Sequence, residues 1–193
     1  MSVEVKNKII FILPSLKAGG AERVISFIAK KLHQKSYNIK LIVIGFKIDK
    51  VYDLDGLDVE YLNKRRLLTS IYSLFYMIIT EKPKIVFSSI SHVNILMSIF
   101  SIFFRRTNFI AREASVMSEM KKFSNKNSRI KTFFIRWLYP QLDLIICQSE
   151  DMYMDIKKQF NFSPSKLKII NNPITSNYIP LRRGKVNSNI INF

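Results

Sequence analysis

Residues 8–23, KIIFILPSLKAGGAER, constrain the fold of this chain more than any other stretch. Ile9 to Leu13 form a continuous apolar run, rich in β-branched and aromatic side chains, which Pro14 and Ser15 end. A short run with no polar face is the pattern of a strand buried on both sides. Leu16 to Ala18 lead to the pair Gly19-Gly20. From Ala21 the apolar spacing becomes helical, with Ala21, Val24, Ile25, Ile28 and Leu32 on one face. A buried strand that turns through glycine directly into a helix opens a doubly wound α/β sheet. Glycines at such a turn let a ligand approach the backbone, and the free N–H groups of the helix start attract an anion. The same pair also suits a plain tight turn.

The rest of the chain continues the alternation. Further strands are expected at residues 39–44, 59–62, 84–88, 108–111, 142–147 and 166–170, with helices at 67–80, 95–104, 130–139 and 150–160 between them. Pro83 ends the second helix, and Ser149 is placed to cap the last one. Residues 89–94 form a polar stretch carrying His92, expected as a loop. Residues 112–127 are polar, basic and irregular, with Met117 and Met120 as packing residues. The fold class is therefore α/β: a single domain with a mostly parallel sheet of about seven strands and helices on both faces.

Composition narrows the function classes. The chain has 193 residues, 48% hydrophobic with 15 Phe, which excludes a disordered chain. The single cysteine, Cys147, sits within an apolar strand pattern; it forms no internal disulfide and points to a reducing compartment. No Cys/His cluster has metal-ligand spacing. The net charge of +17 draws a protein to anionic surfaces, either nucleic acid or the cytoplasmic face of a membrane, or it reflects surface positions filled with lysine. Against nucleic acid, the aromatics sit at core spacing and are not interleaved with Lys and Arg. No signal peptide is visible, and the apolar stretches 67–80 and 93–104 fall short of the roughly 20 residues of a membrane span.

Five features in order carry a resemblance: PSLKAGGAER, VFSSISHVNIL, IAREAS, LDLIICQSEDMYMDI and KLKIINNPI. Together they resemble the N-terminal domain of a family 4 (GT-B type) retaining glycosyltransferase, over nearly the whole chain. A dinucleotide-binding domain would carry GxGxxG and an acidic residue after the second strand, where this chain has KAGGAE and Gly45-Phe46-Lys47. The resemblance implies a Rossmann-like domain over 1–180, with 181–193 as linker and start of a second, donor-binding domain. It implies that Gly19 and Gly20 lie against the donor diphosphate and acceptor in an interdomain cleft. It sets His92, a catalytic candidate, at the end of the fourth strand, and Arg112 and Glu113 near the acceptor at the end of the fifth.

Each of these has a plainer alternative: a tight turn for the glycines, a loop or helix-start histidine, and an Arg112–Glu113 pair made with each other or with neighbours. The resemblance further implies a nucleotide sugar as substrate, no cofactor and no metal. Its other implied partners are a lipid-linked or glycan acceptor, an anionic membrane surface on the inner face of the cell membrane, and a donor-binding domain, whether attached or separately encoded. With that domain missing, residues 1–193 alone are expected to be inactive. A non-enzymatic basic binding or regulatory module is the alternative function.

Overall fold

A computed structural model describes residues 7–113, 127–160 and 162–173. The apolar run at the start forms β1 (Lys8–Leu13), the centre of a seven-stranded sheet. The others are β2 (Asn38–Val43), β3 (Asp58–Tyr61), β4 (Ile85–Ser89), β5 (Asn108–Arg112), β6 (Leu144–Cys147) and β7 (Leu167–Ile169). Their order is β3-β2-β1-β4-β5-β6-β7 and every pairing is parallel. All strands therefore end at one edge, and the direction in which successive strands are added reverses beside β1. That edge is where an open sheet of this kind presents its ligand site.

The helices are α1 (Gly20–Gln34), α2 (Ile71–Glu81), α3 (Ser91–Phe103), α4 (Asn127–Leu138) and α5 (Glu150–Phe160). Alternation along β1 supplies both faces. Phe11 and Leu13 pack with Ile25 and Ala29 of α1 and with Tyr52, Leu54 and Leu57 of the connection before β3. Ile10 and Ile12 belong to the larger core on the opposite face, with Leu74 and Ile78 of α2, Leu96 and Phe100 of α3, Ile135 of α4 and Ile156 of α5. Burying that many aliphatic and aromatic side chains, at about 1.5–3 kcal/mol each, is what holds the layers together.

The sequence places most elements to within two residues, with three differences. Residues 67–70 are a 3₁₀ turn leading into α2. Helix α4 begins at Asn127, three residues before the expected start. Helix α3 begins at Ser91, four residues before its expected start, so His92 lies in a helical first turn and not in a loop. Ser91 and Asn94 are polar because their side chains bond a buried carboxyl, not because they face water. Ser149 caps α5 as expected, its Oγ accepting from the Met152 N–H at 3.3 Å. Cys147 is fully buried. Met117, Met120, Lys121, Lys122, the boundary at 180 and residues 181–193 lie outside the described residues.

At the other edge, where the strands begin, a charge cluster joins four elements. Glu81 at the end of α2 accepts from Lys8 and, at 2.6 Å, from Lys40, which also bonds Glu60 at 2.8 Å. Burial pushes the Lys40 ammonium down, but its hydrogen bonds to Glu60 and Glu81 outweigh that and leave its pKa raised. Hydrogen bonds from Lys40 and Lys8 hold the Glu81 carboxyl below its ordinary value of 4.5. A depressed carboxyl pKa adds stability in full above that value and loses it as pH falls through the lower folded value. Glu81→Gln is expected to cost about 1 kcal/mol at neutral pH, given partial exposure. Urea melts should show the gap from wild type narrowing as pH falls below the ordinary carboxyl value.

Candidate functional site

The strand-end edge is built around Glu113, the residue just past β5. It is fully buried. Its carboxyl accepts from Asn94 Nδ2 at 2.8 Å, from Ser91 Oγ at 3.2 Å and from the Tyr139 hydroxyl. Asn94 is fixed in turn: its Nδ2 also donates to the Arg112 carbonyl at 3.1 Å and its Oδ1 accepts from Ser88 Oγ at 2.8 Å. The Glu113 backbone joins the sheet, its N–H reaching Ile146 O at 3.0 Å and its carbonyl taking Gln148 Nε2 at 2.6 Å. An unpaired buried carboxyl would be very costly, so these donors, drawn from α3 and from beside β6, are what permit it. Burial, then the neighbouring Glu113 charge, raises the Tyr139 hydroxyl well above its ordinary value. The same two causes push the Cys147 thiol up to about 11, so it remains protonated at neutral pH.

Arg112 and Glu113 leave the strand on opposite faces, as successive strand residues do. Arg112 is 4% exposed, and its guanidinium donates to Ser89 Oγ at 3.3 Å and to Asn172 Oδ1 at 2.6 Å. Asn172 Nδ2 then donates to Gln148 Oε1 at 2.7 Å. One connected set of polar side chains thus spans the ends of β4, β5, β6 and β7. Burial lowers the Arg112 pKa and the Glu113 charge opposes that; an arginine stays charged regardless. His92, between Ser91 and Asn94 in the first turn of α3, is exposed.

The β4–α3 connection is a single residue, Ile90, at φ 78 and ψ 125. A β-branched residue at positive φ is strained, at a cost of about 1–3 kcal/mol. Its carbonyl takes both the Val93 and Asn94 N–H groups, at 3.0 and 3.1 Å, which holds the turn in place.

At the end of β1, Gly19 is extended (φ −138, ψ 154) and caps α1, of which Gly20 is the first residue. Neither conformation requires glycine. A Cβ on Gly20 would meet nothing within 4 Å, and one on Gly19 would meet only the mobile end of the Glu22 carboxylate. Gly20 therefore keeps open ground beside the α1 N-terminus, while the Glu22 carboxylate lies over Gly19. Tyr52, 2% exposed, fixes the loop from behind: its hydroxyl accepts from the Gly19 N–H at 3.0 Å and donates to the Gly19 carbonyl at 2.8 Å.

The sequence brings Gly19, Gly20, His92, Arg112 and Glu113 to notice, and all five lie at the strand-end edge. It misses Tyr52, Ser91, Asn94, Tyr139, Gln148 and Asn172. The polar runs SSISHVN, QSE and NNP carry a signal for four of these. Nothing local marks Tyr52 or Tyr139, whose partners are 33 and 26 residues away. Among the described residues, no group of three His, Cys, Asp or Glu could hold a metal ion.

A parallel sheet in this order, with buried polar side chains gathered where its strands end, is a doubly wound α/β domain with a ligand edge. A family model described as Glycosyltransferase Family 4 matches residues 18–178, and the chain belongs to that family. It is 28% identical over 171 residues to the N-acetylgalactosamine-N,N'-diacetylbacillosaminyl-diphospho-undecaprenol 4-alpha-N-acetylgalactosaminyltransferase of Campylobacter jejuni, covering 83% of this chain and 46% of that one. In structure it is similar to Anabaena Alr3699/HepE in complex with UDP-glucose, with a TM-score of 0.65 at 15% identity, covering 87% of this chain and 44% of that chain. It is similar also to the apo form of the lipopolysaccharide outer core galactosyltransferase WaaB, with a TM-score of 0.64 at 15% identity, covering 86% and 46%. The chain thus spans about half the length of the relatives it matches.

Replacing Glu113 by Gln turns one acceptor oxygen into a donor facing groups that already donate. Glu113→Gln is expected to lower the unfolding free energy by about 3 kcal/mol. Denaturant melts, compared with the exposed variant Glu150→Gln, check this; an equal loss in both would show that the carboxyl holds nothing in particular.

Proposed function

We propose that this chain forms the acceptor-side part of a glycosyltransferase. The enzyme moves a sugar from a nucleotide-sugar donor to a lipid-linked or polysaccharide acceptor in cell-surface glycan assembly. The observation that carries the reading is the open ground at Gly20 within a family 4 domain: nothing inside the fold requires glycine there, whereas an approaching ligand does. The named substrate of the Campylobacter jejuni relative, a diphospho-undecaprenol, supports a lipid-linked acceptor.

In this reading the N–H groups at the α1 N-terminus and the remaining donors of Arg112 face phosphate or sugar oxygens. His92 reaches the reacting groups from the first turn of α3. Glu113, with no exposed surface, acts as a positioning residue: it sets the start of α3 on one side of the sheet and the backbone that carries Arg112 on the other. A nucleotide sugar enters as substrate, and no cofactor or metal takes part.

The exposed residues Leu68, Tyr72, Tyr76 and Ile79 follow the basic run Lys64-Arg65-Arg66, which suits peripheral docking on the anionic inner face of the cell membrane. Among the described residues, no helix is long and apolar enough to cross a membrane.

Rate acceleration needs groups complementary to the transition state on both sides of the reacting sugar. A helix N-terminus contributes only up to about 2 kcal/mol to binding an anion. Residues 1–193 alone are therefore expected to bind a polyprenyl-diphosphate-linked glycan without transferring sugar to it from UDP- or GDP-sugars. Gly20→Ala should leave unfolding free energy unchanged or slightly raised, since alanine favours a helix by up to about 1 kcal/mol. The same change should weaken acceptor binding about tenfold, the loss of roughly one good hydrogen bond. Titration in detergent micelles and a radiolabelled transfer assay measure the two. Robust turnover would overturn the half-site reading, and undiminished acceptor binding by Gly20→Ala would overturn the site.

A further inference from the structure

The recess between the C-terminal ends of α2 and α3 lies at the edge where the strands begin, away from the candidate site. It has a volume of about 480 Å³. Lys82, Arg105 and Arg106 line it, together with Ile79, Pro83 and Phe103, and no acidic residue does. All three cations are exposed, and none forms a salt bridge among the described residues.

The recess is built by the fold. Lys82 ends α2 in the left-handed region at φ 45, and the buried Pro83 prevents the helix from continuing. The Thr107 hydroxyl donates to the Pro83 carbonyl at 2.8 Å and ties the two connections together. Phe104, against Phe75 at 4.9 Å between ring centroids, fixes the end of α3.

Two features select the occupant. The first is charge: residues 64–107 hold seven basic side chains and one acidic one, Glu81, which is already bonded to Lys8 and Lys40. The second is apolar exposure beside that charge. Phe103 is 66% and Ile79 46% exposed at the mouth of the recess, and Tyr72, at 80%, continues the strip along α2, its ring stacked on Tyr76. A soluble anion would satisfy the cations and leave these rings in water. A bilayer surface satisfies both, with phosphates at the level of the cations and aromatic rings at the headgroup boundary.

We propose that this recess binds the phosphate headgroup of an anionic phospholipid, between Lys82, Arg105 and Arg106, with Phe103 and Ile79 against the start of its acyl chains. The proposal rests on the membrane docking inferred above and gives that docking a specific site.

Co-sedimentation of the full chain with phosphatidylcholine vesicles, with and without phosphatidylglycerol, tests it. Wild type should bind only the anionic vesicles. The double variant Arg105→Ala/Arg106→Ala should bind them at least tenfold more weakly, as expected for two cations at a lipid surface. Lys157→Ala/Lys158→Ala, which removes the same charge from α5, should bind like wild type. Phe103→Ser, with charge unchanged, should weaken binding severalfold. If the two double variants fall equally, or if the recess variants bind like wild type, the recess is not the site and membrane docking stands without it. If wild type does not bind anionic vesicles, both inferences fall.

Discussion

A carboxyl with no access to water organises the strand-end edge of this domain. Glu113 ties the end of β5 to the first turn of α3 and to Tyr139. Its burial would be prohibitive unless each oxygen found a donor, so the donors must stand where they do. That requirement fixes the height of α3 relative to the sheet, the conformation of Asn94 and, through the strand backbone, the place from which Arg112 extends. Apolar packing alone tolerates small slippage of a helix along a sheet; a saturated hydrogen-bond network does not.

The two edges of the sheet divide the labour of charge. Where the strands begin, Lys8, Lys40, Glu60 and Glu81 neutralise one another and join β1, β2, β3 and α2. Where the strands end, the polar groups bond inward, and open ground remains at Gly20. The net charge of +17 is therefore not spread evenly. Glu60, Glu81 and Glu113 are engaged in such contacts, while the basic residues at 64–66 and 105–106 stand in the solvent beside exposed apolar side chains.

Much of this fold is legible in the sequence because apolar runs and turn residues carry it. KIIFIL, IVFSS and LIIC announce buried parallel strands, and Pro83 and the Ser149 cap mark helix ends. The expectation that failed locally, a loop through His92, failed because a polar run has two meanings: facing water, or facing a buried partner. Nothing within SSISHVN distinguishes them; the partner lies in another strand. The candidate site was legible in location, since Gly19, Gly20, His92, Arg112 and Glu113 all fall at strand ends. The contacts each of them makes were not, because they depend on burial. Arg112 and Glu113 are neighbours in sequence, but they point to opposite faces and make different contacts. Tyr52 stayed hidden because its contribution is two bonds to the backbone of a residue 33 positions away.

The single-residue link at Ile90 makes the phase of α3 depend on the exact length of the connection. One residue inserted there would advance α3 by 1.5 Å and rotate it by about 100°. Ser91 and Asn94 would then swing away from Glu113, and the buried carboxyl would lose two of its donors at once. A link of one residue has no slack in which to absorb the addition. The junction between β4 and α3 thus acts as a ratchet tooth: its residue count sets which side chains of α3 engage the carboxyl.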